Sequence, residues 1–388
     1  LSRGLGDVYK RQMHMMTIGK TWVVILSISL LIVGCRQVTQ HETLQIPYIG
    51  SVESIADTLI MSDFEVLSFE SNDNSLISKM DRVIKYDNRY YVLDKRMKQL
   101  LSFDSSGNHL FTINAVGNGI GEYISLKDFS IDREEGWLLL LVDPSAILYY
   151  DLEGRYDHKL LLDGYYNAIT NDSQSIYLEK ATYVNNELEA SSVTIVRKRD
   201  GVMNNVLEPL PEIAPYCYYQ GAQMSATNPL YFTRKFDDCV YKLSDAGLEP
   251  LYHIDWNKST FPSSLKEKTY ECGELNELAW RQNYIWFISD LQDSEENILF
   301  RVNLPGLFIL SKRIRSVEGY KMIFNTLLDI PLPNYIPVGG DGNEVFFVYP
   351  VHILKEQIKD RNLSNKMDDL LESMDEDSNP LIFKYNLK

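Results

Sequence analysis

Short runs of β-branched, leucine and aromatic residues alternate along the chain with polar turn sequences. QLLSFD, AILYYD, VTIVRKRD and CVYKLSD each lead into a turn ending in glycine: DSSG at 104–107, DLEG at 151–154, KRDG at 198–201 and SDAG at 244–247. The closing glycines, Gly107, Gly154, Gly201 and Gly247, lie 47, 47 and 46 residues apart, and a fifth turn, NLPG, closes at Gly306 after 59 more. Aspartate near glycine is a hairpin signal, because glycine accepts φ > 0 without a Cβ clash. LFRVNL precedes the fifth turn, and LIFKYNLK (381–388) takes the same position in a sixth unit.

Each run has an upstream partner rich in strand-forming residues. These are YYVLD (90–94), WLLLLVD (137–143), SIYLEK (175–180), LYFTRK (230–235), YIWFIS (284–289) and EVFFVYP (344–350). Six pairs at blade-length spacing predict an all-β chain, a six-bladed β-propeller of four-stranded antiparallel blades. A two-sheet sandwich also has many short strands, but it does not predict near-equal spacing of one turn type. Blade one reads as 82–86, 90–94, 99–104 and 109–114, and blade two begins at 128–132. The last unit stops after its third strand, which would leave an open edge. FEVLSFE (64–70) alternates apolar and polar residues, and it is expected to pair beside 381–387 and close the ring.

GNGIGEY (117–123) then joins the outer strand of blade one to the inner strand of blade two. A dinucleotide cradle needs GxGxxG opening a helix. Here the spacing is GxGxG, residue 122 is Glu and a strand follows, so the stretch reads as a crossing loop. Glu122 and Tyr123 are expected to point toward the central face.

The run YVLD…LLSFDSSGNHLFTI…GNGIGEY…LKDFSID resembles the six-bladed β-propeller lipoproteins of Bacteroidota, relatives of NHL-repeat propellers. FDDCVYKLSDAGLEPLYHIDW (236–256) resembles their fourth blade, and NPLIFKYNLK their C-terminal strand. The resemblance covers most of the chain beyond its leader. It implies the fold and a place in the cell envelope, and it carries over no catalytic residue.

The N-terminal region changes the picture of compartment. Residues 1–12 look unlike the rest and resemble a translated adapter read-through, so they are set aside. Residues 13–34 read as a secretory signal, with Lys20 before an apolar stretch too short to span a bilayer well. That stretch ends in LIVGC, which resembles the bacterial lipobox, so Cys35 is the expected lipidation site. Acyl chains on Cys35 make the membrane a partner through the anchor, with localisation at the outer membrane, facing the periplasm or the surface. Residues 35–60 read as a tether and 61–388 as the propeller. The whole chain carries −16, and removing 1–34 takes this to −19. Nucleic acid is not an expected partner, since phosphate contacts need clustered Lys and Arg. The remaining cysteines, Cys217, Cys239 and Cys272, are an odd set that leaves room for one bridge. No CxxC or Cys/His spacing marks a zinc site, and neither a cofactor nor a metal is expected.

Loops 2–3 and 4–1 of a four-stranded meander emerge on one face. Five long segments fall there: 181–192, 208–217, 257–275, 316–334 and 351–380. The last contains a helix-like insertion, about 351–376, with Ile353, Leu354, Ile358, Leu363, Met367, Leu370 and Leu371 forming a stripe. Long loops on a rigid scaffold are the usual place for binding. The candidate ligand face is Glu122, Tyr123, Tyr216, Tyr218, Tyr219, Arg234, Lys235, Trp256, Asp290 and His352, with Tyr270 and Tyr320 on the same loops. Aromatics beside a few polar groups suit a glycan, a peptide or an envelope protein. HExxH and GxSxG are absent, and GGDGNE (339–344) lacks the alternating ligands of a calcium loop. These readings favour a lipid-anchored binding protein. The alternatives are a hydrolase or lyase using carboxylates in the central channel, and a structural subunit of an envelope complex.

Overall fold

WLLLLVD is apolar without alternation, which suits a strand covered on both faces. The computed structural model shows such strands throughout. It describes residues 43–388 apart from 181–182, 185–186, 189–192, 207–212, 214–220, 227–228, 334–338, 340–341, 360, 362–364 and 376. Cys35, Tyr216, Tyr218 and Tyr219 therefore lie outside the described residues.

The chain opens on β1 (Leu44–Ala56) and β2 (Met61–Leu67), joined by one helical turn. β3 (Arg82–Tyr86), β4 (Arg89–Asp94), β5 (Gln99–Asp104) and β6 (His109–Ile113) form a four-stranded antiparallel sheet. A second comprises β7 (Ser125–Asp132), β8 (Trp137–Asp143), β9 (Ala146–Asp151) and β10 (Tyr156–Leu161). A third begins with β11 (Tyr166–Asn171) and β12 (Ser175–Lys180). A separate ribbon, β13 (Tyr183–Val184) and β14 (Glu187–Leu188), precedes its last strands, β15 (Val193–Arg197) and β16 (Met203–Val206). β17 (Tyr231–Phe232), β18 (Cys239–Ser244) and β19 (Gly247–Asp255) follow, with Met224 bridged to Phe232. Next come β20 (Ile288–Asp293), β21 (Asn297–Val302), β22 (Leu307–Ser311) and β23 (Ser316–Asn325), with β24 (Ile330–Pro331) on β23. β25 (Glu344–Tyr349) and β26 (Leu381–Leu387) end the chain. The architecture is all-β and propeller-like.

Alternation along each strand sends side chains to two different neighbours. Tyr91, Leu93 and Leu100 pack with Phe129, Leu138 and Leu140 of the second sheet. Tyr90, Val92, Leu101 and Phe103 pack on the other side with Phe346 and Ile382. Leu139 and Leu141 meet Ile169, Ile176 and Leu178. Each fully buried side chain of this kind contributes roughly 1.5–3 kcal/mol.

β2 runs antiparallel to β26, with Glu65 opposite Lys384, Val66 opposite Phe383 and Leu67 opposite Ile382. The expected pairing of the FEVL segment with the last strand is thus present. β1 was not expected: from Leu44 onward the supposed tether is a paired strand. It lies parallel to β19 over residues 44–47 and then parallel to β23 over residues 48–56. Its polar sequence concealed it, because Ile46 is its one deeply buried side chain and backbone bonds hold the rest.

Two further expectations need correction. The fifth turn, NLPG, joins β21 to β22, one strand earlier in its sheet than the other four turns. The equivalent turn lies between β22 and β23, where Arg315 takes φ +60° and no glycine marks it. Residues 316–325, expected as loop, are consequently strand β23. Likewise the strand expected at 284–289 starts at Ile288, and Ile285, Trp286 and Phe287 are buried before or at its threshold.

Three α-helices longer than one turn stand among the described residues: α1 (Cys272–Gln282), α2 (Val351–Ile358) and α3 (Asn365–Glu372). The insertion before the last strand is the pair α2 and α3, whose Val351, Leu354, Ile358, Met367 and Leu371 are buried against β25 and β26. Cys239 is a free thiol, and Cys272 is disulfide-bonded. Among the described residues no helix is long and apolar enough to cross a membrane.

Candidate functional site

The first strands of three sheets converge at one polar cluster. Arg82 opens β3 and donates through Nη1 to the carbonyl oxygens of Phe129 on β7 at 3.0 Å and of Ile169 on β11 at 3.2 Å. The same Nη1 lies 3.0 Å from Asp128 Oδ2, and both side chains are almost fully buried. Asp128 Oδ2 also accepts from the Ile169 N–H at 2.9 Å. One ion pair therefore ties three consecutive sheets. A buried charge is tolerated only when paired and hydrogen-bonded, and both conditions hold here.

Backbone irregularity positions the polar groups. The β7–β8 register shifts between Leu126 and Asp128, the β11–β12 register between Tyr166 and Ala168, and the β20–β21 register between Ser289 and Gln292. Bulges of this kind re-aim side chains. Asp290 sits in the last of them at φ +59°, a conformation that non-glycine residues rarely adopt. Its Oδ1 accepts from the Ala222 N–H at 2.8 Å and its Oδ2 from Ser289 Oγ at 2.9 Å. Arg301 Nη1 stands 3.4 Å from Oδ2. Despite these partners, burial pushes the Asp290 carboxyl up to about 6.

Glu179, near the end of β12, is half-buried and accepts from Gln223 Nε2 at 2.5 Å. Desolvation of its carboxyl raises it to about 7, with Lys235, Lys95 and Arg82 pulling it back and Asp128 adding to the rise. Two carboxyls thus titrate near neutrality beside a mixed set of cations. Carboxyls shifted in this way are over-represented at functional sites, because a group poised near pH 7 can hold or release a proton there.

The expected ligand face divides. Asp290 belongs to the cluster, and Lys235 acts electrostatically on Glu179. Arg234 Nε pairs with Asp237 Oδ2 at 2.5 Å, beside the Tyr241 ring. His352 is exposed on α2. Tyr123 and Trp256 are core residues, not ligand-face residues, each wholly buried. The Tyr123 hydroxyl donates to the Lys98 carbonyl at 2.8 Å, and burial raises it to about 12. Trp256 packs edge-on to Tyr48 of β1 at 5.4 Å and to Phe308 at 6.1 Å, so the unforeseen strand helps to cover it. Tyr270 and Tyr320 are also buried. Glu122 is exposed but folds back on its own loop, where Oε2 accepts from the Gly119 N–H at 2.6 Å. A Cβ on Gly117 would fall 2.0 Å from that oxygen, so the glycine-rich stretch makes room for its own carboxylate.

Arg82, Asp128, Glu179, Gln223 and Arg301 were not singled out from the sequence. The signal was present: charged residues inside or beside strands otherwise apolar on both faces, as in SLKDFSID and SIYLEK. Among the described residues no group of three or more His, Cys, Asp or Glu is placed to hold a metal ion.

The family described as "Domain of unknown function (DUF4934)" matches residues 48–386, and the chain belongs to it. Its fold is similar to that of a Bacteroides fragilis protein described as exported, with TM-score 0.69, 16% identity, and coverage of 89% of this chain and 100% of that one. A Bacteroides vulgatus member of the duf4221 family matches at TM-score 0.48 and 10% identity, covering 85% of this chain and 98% of that one. Virginiamycin B lyase from Staphylococcus aureus matches at TM-score 0.42 and 11% identity, covering 74% and 81% respectively. Comparison with curated proteins returned no match.

Proposed function

We propose that this protein is a six-bladed β-propeller held at the outer membrane by a lipid on Cys35, binding a glycan, peptide or envelope protein at the charged cluster. Six apolar clusters support the ring: each joins two successive sheets, and one of them joins the first sheet to the last. Likeness to a protein described as exported is in keeping with the envelope location. The observation that carries the function is the cluster itself. Arg82, Asp128, Glu179, Gln223 and Asp290 come from successive parts of the chain, with Arg82 on Asp128, Gln223 on Glu179 and the Ala222 N–H on Asp290. Convergent polar groups set in an apolar scaffold are the usual form of a ligand site.

The test is a panel of glycans and peptides titrated by NMR against the wild type, Lys235→Ala and Asp290→Asn. The expected result is a ligand whose affinity falls at least about tenfold in both variants. Unchanged affinity in both folded variants overturns the assigned face.

A second reading, a hydrolase or lyase, is favoured by the two carboxyls raised to about 7 and about 6. A poised pair can act as general acid and base. It requires that Glu179→Gln and Asp290→Asn each remove turnover of a bound glycan or peptide while leaving binding measurable.

A further inference from the structure

Among the described residues sixteen large apolar side chains are exposed, and six of them lie in two short segments, 49–59 and 314–327. They are Ile49, Val52 and Leu59 in and after β1, and Ile314, Met322 and Leu327 in and around β23. The two segments adjoin. β1 is laddered onto β23, with Tyr48 opposite Val317, Val52 opposite Tyr320 and Ser54 opposite Met322. Just beyond the ladder the Thr326 N–H donates to Asp57 Oδ1 at 3.1 Å. Exposed apolar residues scattered singly are ordinary, whereas a concentration of them marks a contact surface.

Local backbone geometry exposes two of the six. β1 shifts register between Tyr48 and Ser51, with Gly50 at φ +115°, and Ile49 stands in that bulge, 63% exposed. Bulges re-aim side chains. Ile314 lies in the turn between β22 and β23, 68% exposed, and the arginines on either side of it, Arg313 and Arg315, are exposed as well. The surrounding charge is close to balance. Glu53 pairs with Lys321, and Lys312 pairs with Asp293 at 2.6 Å. Glu295 and Glu296 are exposed in the adjoining turn, where the Lys312 N–H donates to the Glu296 carbonyl at 2.8 Å. Apolar contact, and not net charge, is therefore what this surface offers.

The length of the tether says what covers it. Eight residue steps separate Cys35 from Thr43, beside the start of β1, a reach of at most about 28 Å. A folded body of this length is roughly 50 Å across. A lipid on Cys35 would thus hold the β1 side to the bilayer and leave the far side out of reach. Interfacial contacts bury apolar side chains about 5–10 Å deep, while arginines extend to the phosphates. We propose that the β1–β23 surface rests on the membrane, with Ile49 and Ile314 inserted among the lipid headgroups and Arg313 and Arg315 on their phosphates. The proposal rests on the reading of Cys35 as the lipidation site.

The experiment uses the full lipidated chain in phosphatidylcholine vesicles with and without brominated acyl chains. Ile314→Trp and Ile120→Trp each add a tryptophan at an exposed position, the second on the loop between the first two sheets, where Ile120 is 89% exposed. Bromine quenches a tryptophan that enters the bilayer. Relative to the wild type, Ile314→Trp should show at least about twofold more quenching, and Ile120→Trp should show no increase. The effect at 314 should survive insertion of a Gly/Ser segment of about 20 residues between Cys35 and Thr43, which adds roughly 25 Å of slack. Loss of quenching with the longer tether overturns the docking and leaves only confinement by the anchor. No added quenching at 314, or equal quenching at 314 and 120, also overturns it. A blue shift of Ile314→Trp emission that grows with protein concentration and not with lipid assigns the surface to a second copy of the chain instead. If Cys35 proves to carry no lipid, the anchoring reading fails by itself. Vesicles added to the unanchored protein then decide the surface: quenching at 314 supports the proposal and its absence overturns it.

Discussion

The first four-stranded sheet and the sheet β20–β23 share one meander and differ at both of its ends. Between β5 and β6, Gly107 takes φ +85° and its N–H donates to Asp104 O at 3.0 Å. Between β22 and β23, Arg315 does the same work at φ +60°, donating to Ser311 O at 2.8 Å. The neighbours explain the difference. A Cβ at residue 107 would fall 2.1 Å from the Ser68 carbonyl oxygen, whereas Arg315 is exposed. Glycine is obligatory where another backbone segment closes over the turn and merely convenient elsewhere. At the inner end, β3 keeps unbroken register with β4 and opens on a cation, while β20 is bulged and carries an anion at positive φ. The sheets are therefore interchangeable as scaffolding and specialised at the cluster.

Substitutions can break this comparison. Arg82→Met should have the largest effect, because it leaves Asp128 buried without its cation, and a urea melt should show a loss of about 3–5 kcal/mol. Gly107→Ala should come next, at roughly 2–3 kcal/mol or more, from positive φ combined with a backbone clash. A melt within about 0.5 kcal/mol of wild type would remove the argument for an obligatory glycine. Asp290→Asn tests the bulged strand through pH. The folded protein holds the Asp290 proton up to about 6, above the ordinary 3.8, so its stabilising contribution is complete below pH 4 and is lost as pH rises through 6. Relative to Asp290→Asn, the wild type should lose on the order of 2–3 kcal/mol between pH 4 and pH 8. A parallel pair of stability curves would contradict the burial of that carboxyl. The smallest effect is expected from Arg315→Gly, a gain of roughly 0.5–1 kcal/mol as positive φ becomes costless. Thermal melts against Gly107→Ala give the two turns opposite signs.

What could be read from the sequence follows the same division. The first sheet was legible almost to the residue, since its strands are apolar, its turn needs glycine and its connections are short. The pairing of β2 with β26 was legible because FEVL alternates. Arg315 hid the equivalent turn by placing a long side chain where glycine was sought, and the error of one strand turned β23 into a loop. β1 left no hydrophobic pattern because its partners are backbone groups. The site was hardest to read. Aromatic residues in connections drew notice, but Tyr123 and Trp256 fill gaps between packed sheets, where large rings are most valuable. Arg82, Asp128 and Glu179 looked like ordinary strand residues, since nothing in a linear sequence shows which strands of different sheets will face each other.

β1 has a mechanical consequence. It runs parallel to β19 and then to β23, changing partner between Pro47 and Tyr48. Bonds in a parallel ladder are slanted and evenly spaced along the strand. Tension applied along β1 from residue 43 would load them together, in shear, instead of peeling them open one after another. Both flanking sheets would then share the load, since β1 is laddered first to one and then to the other.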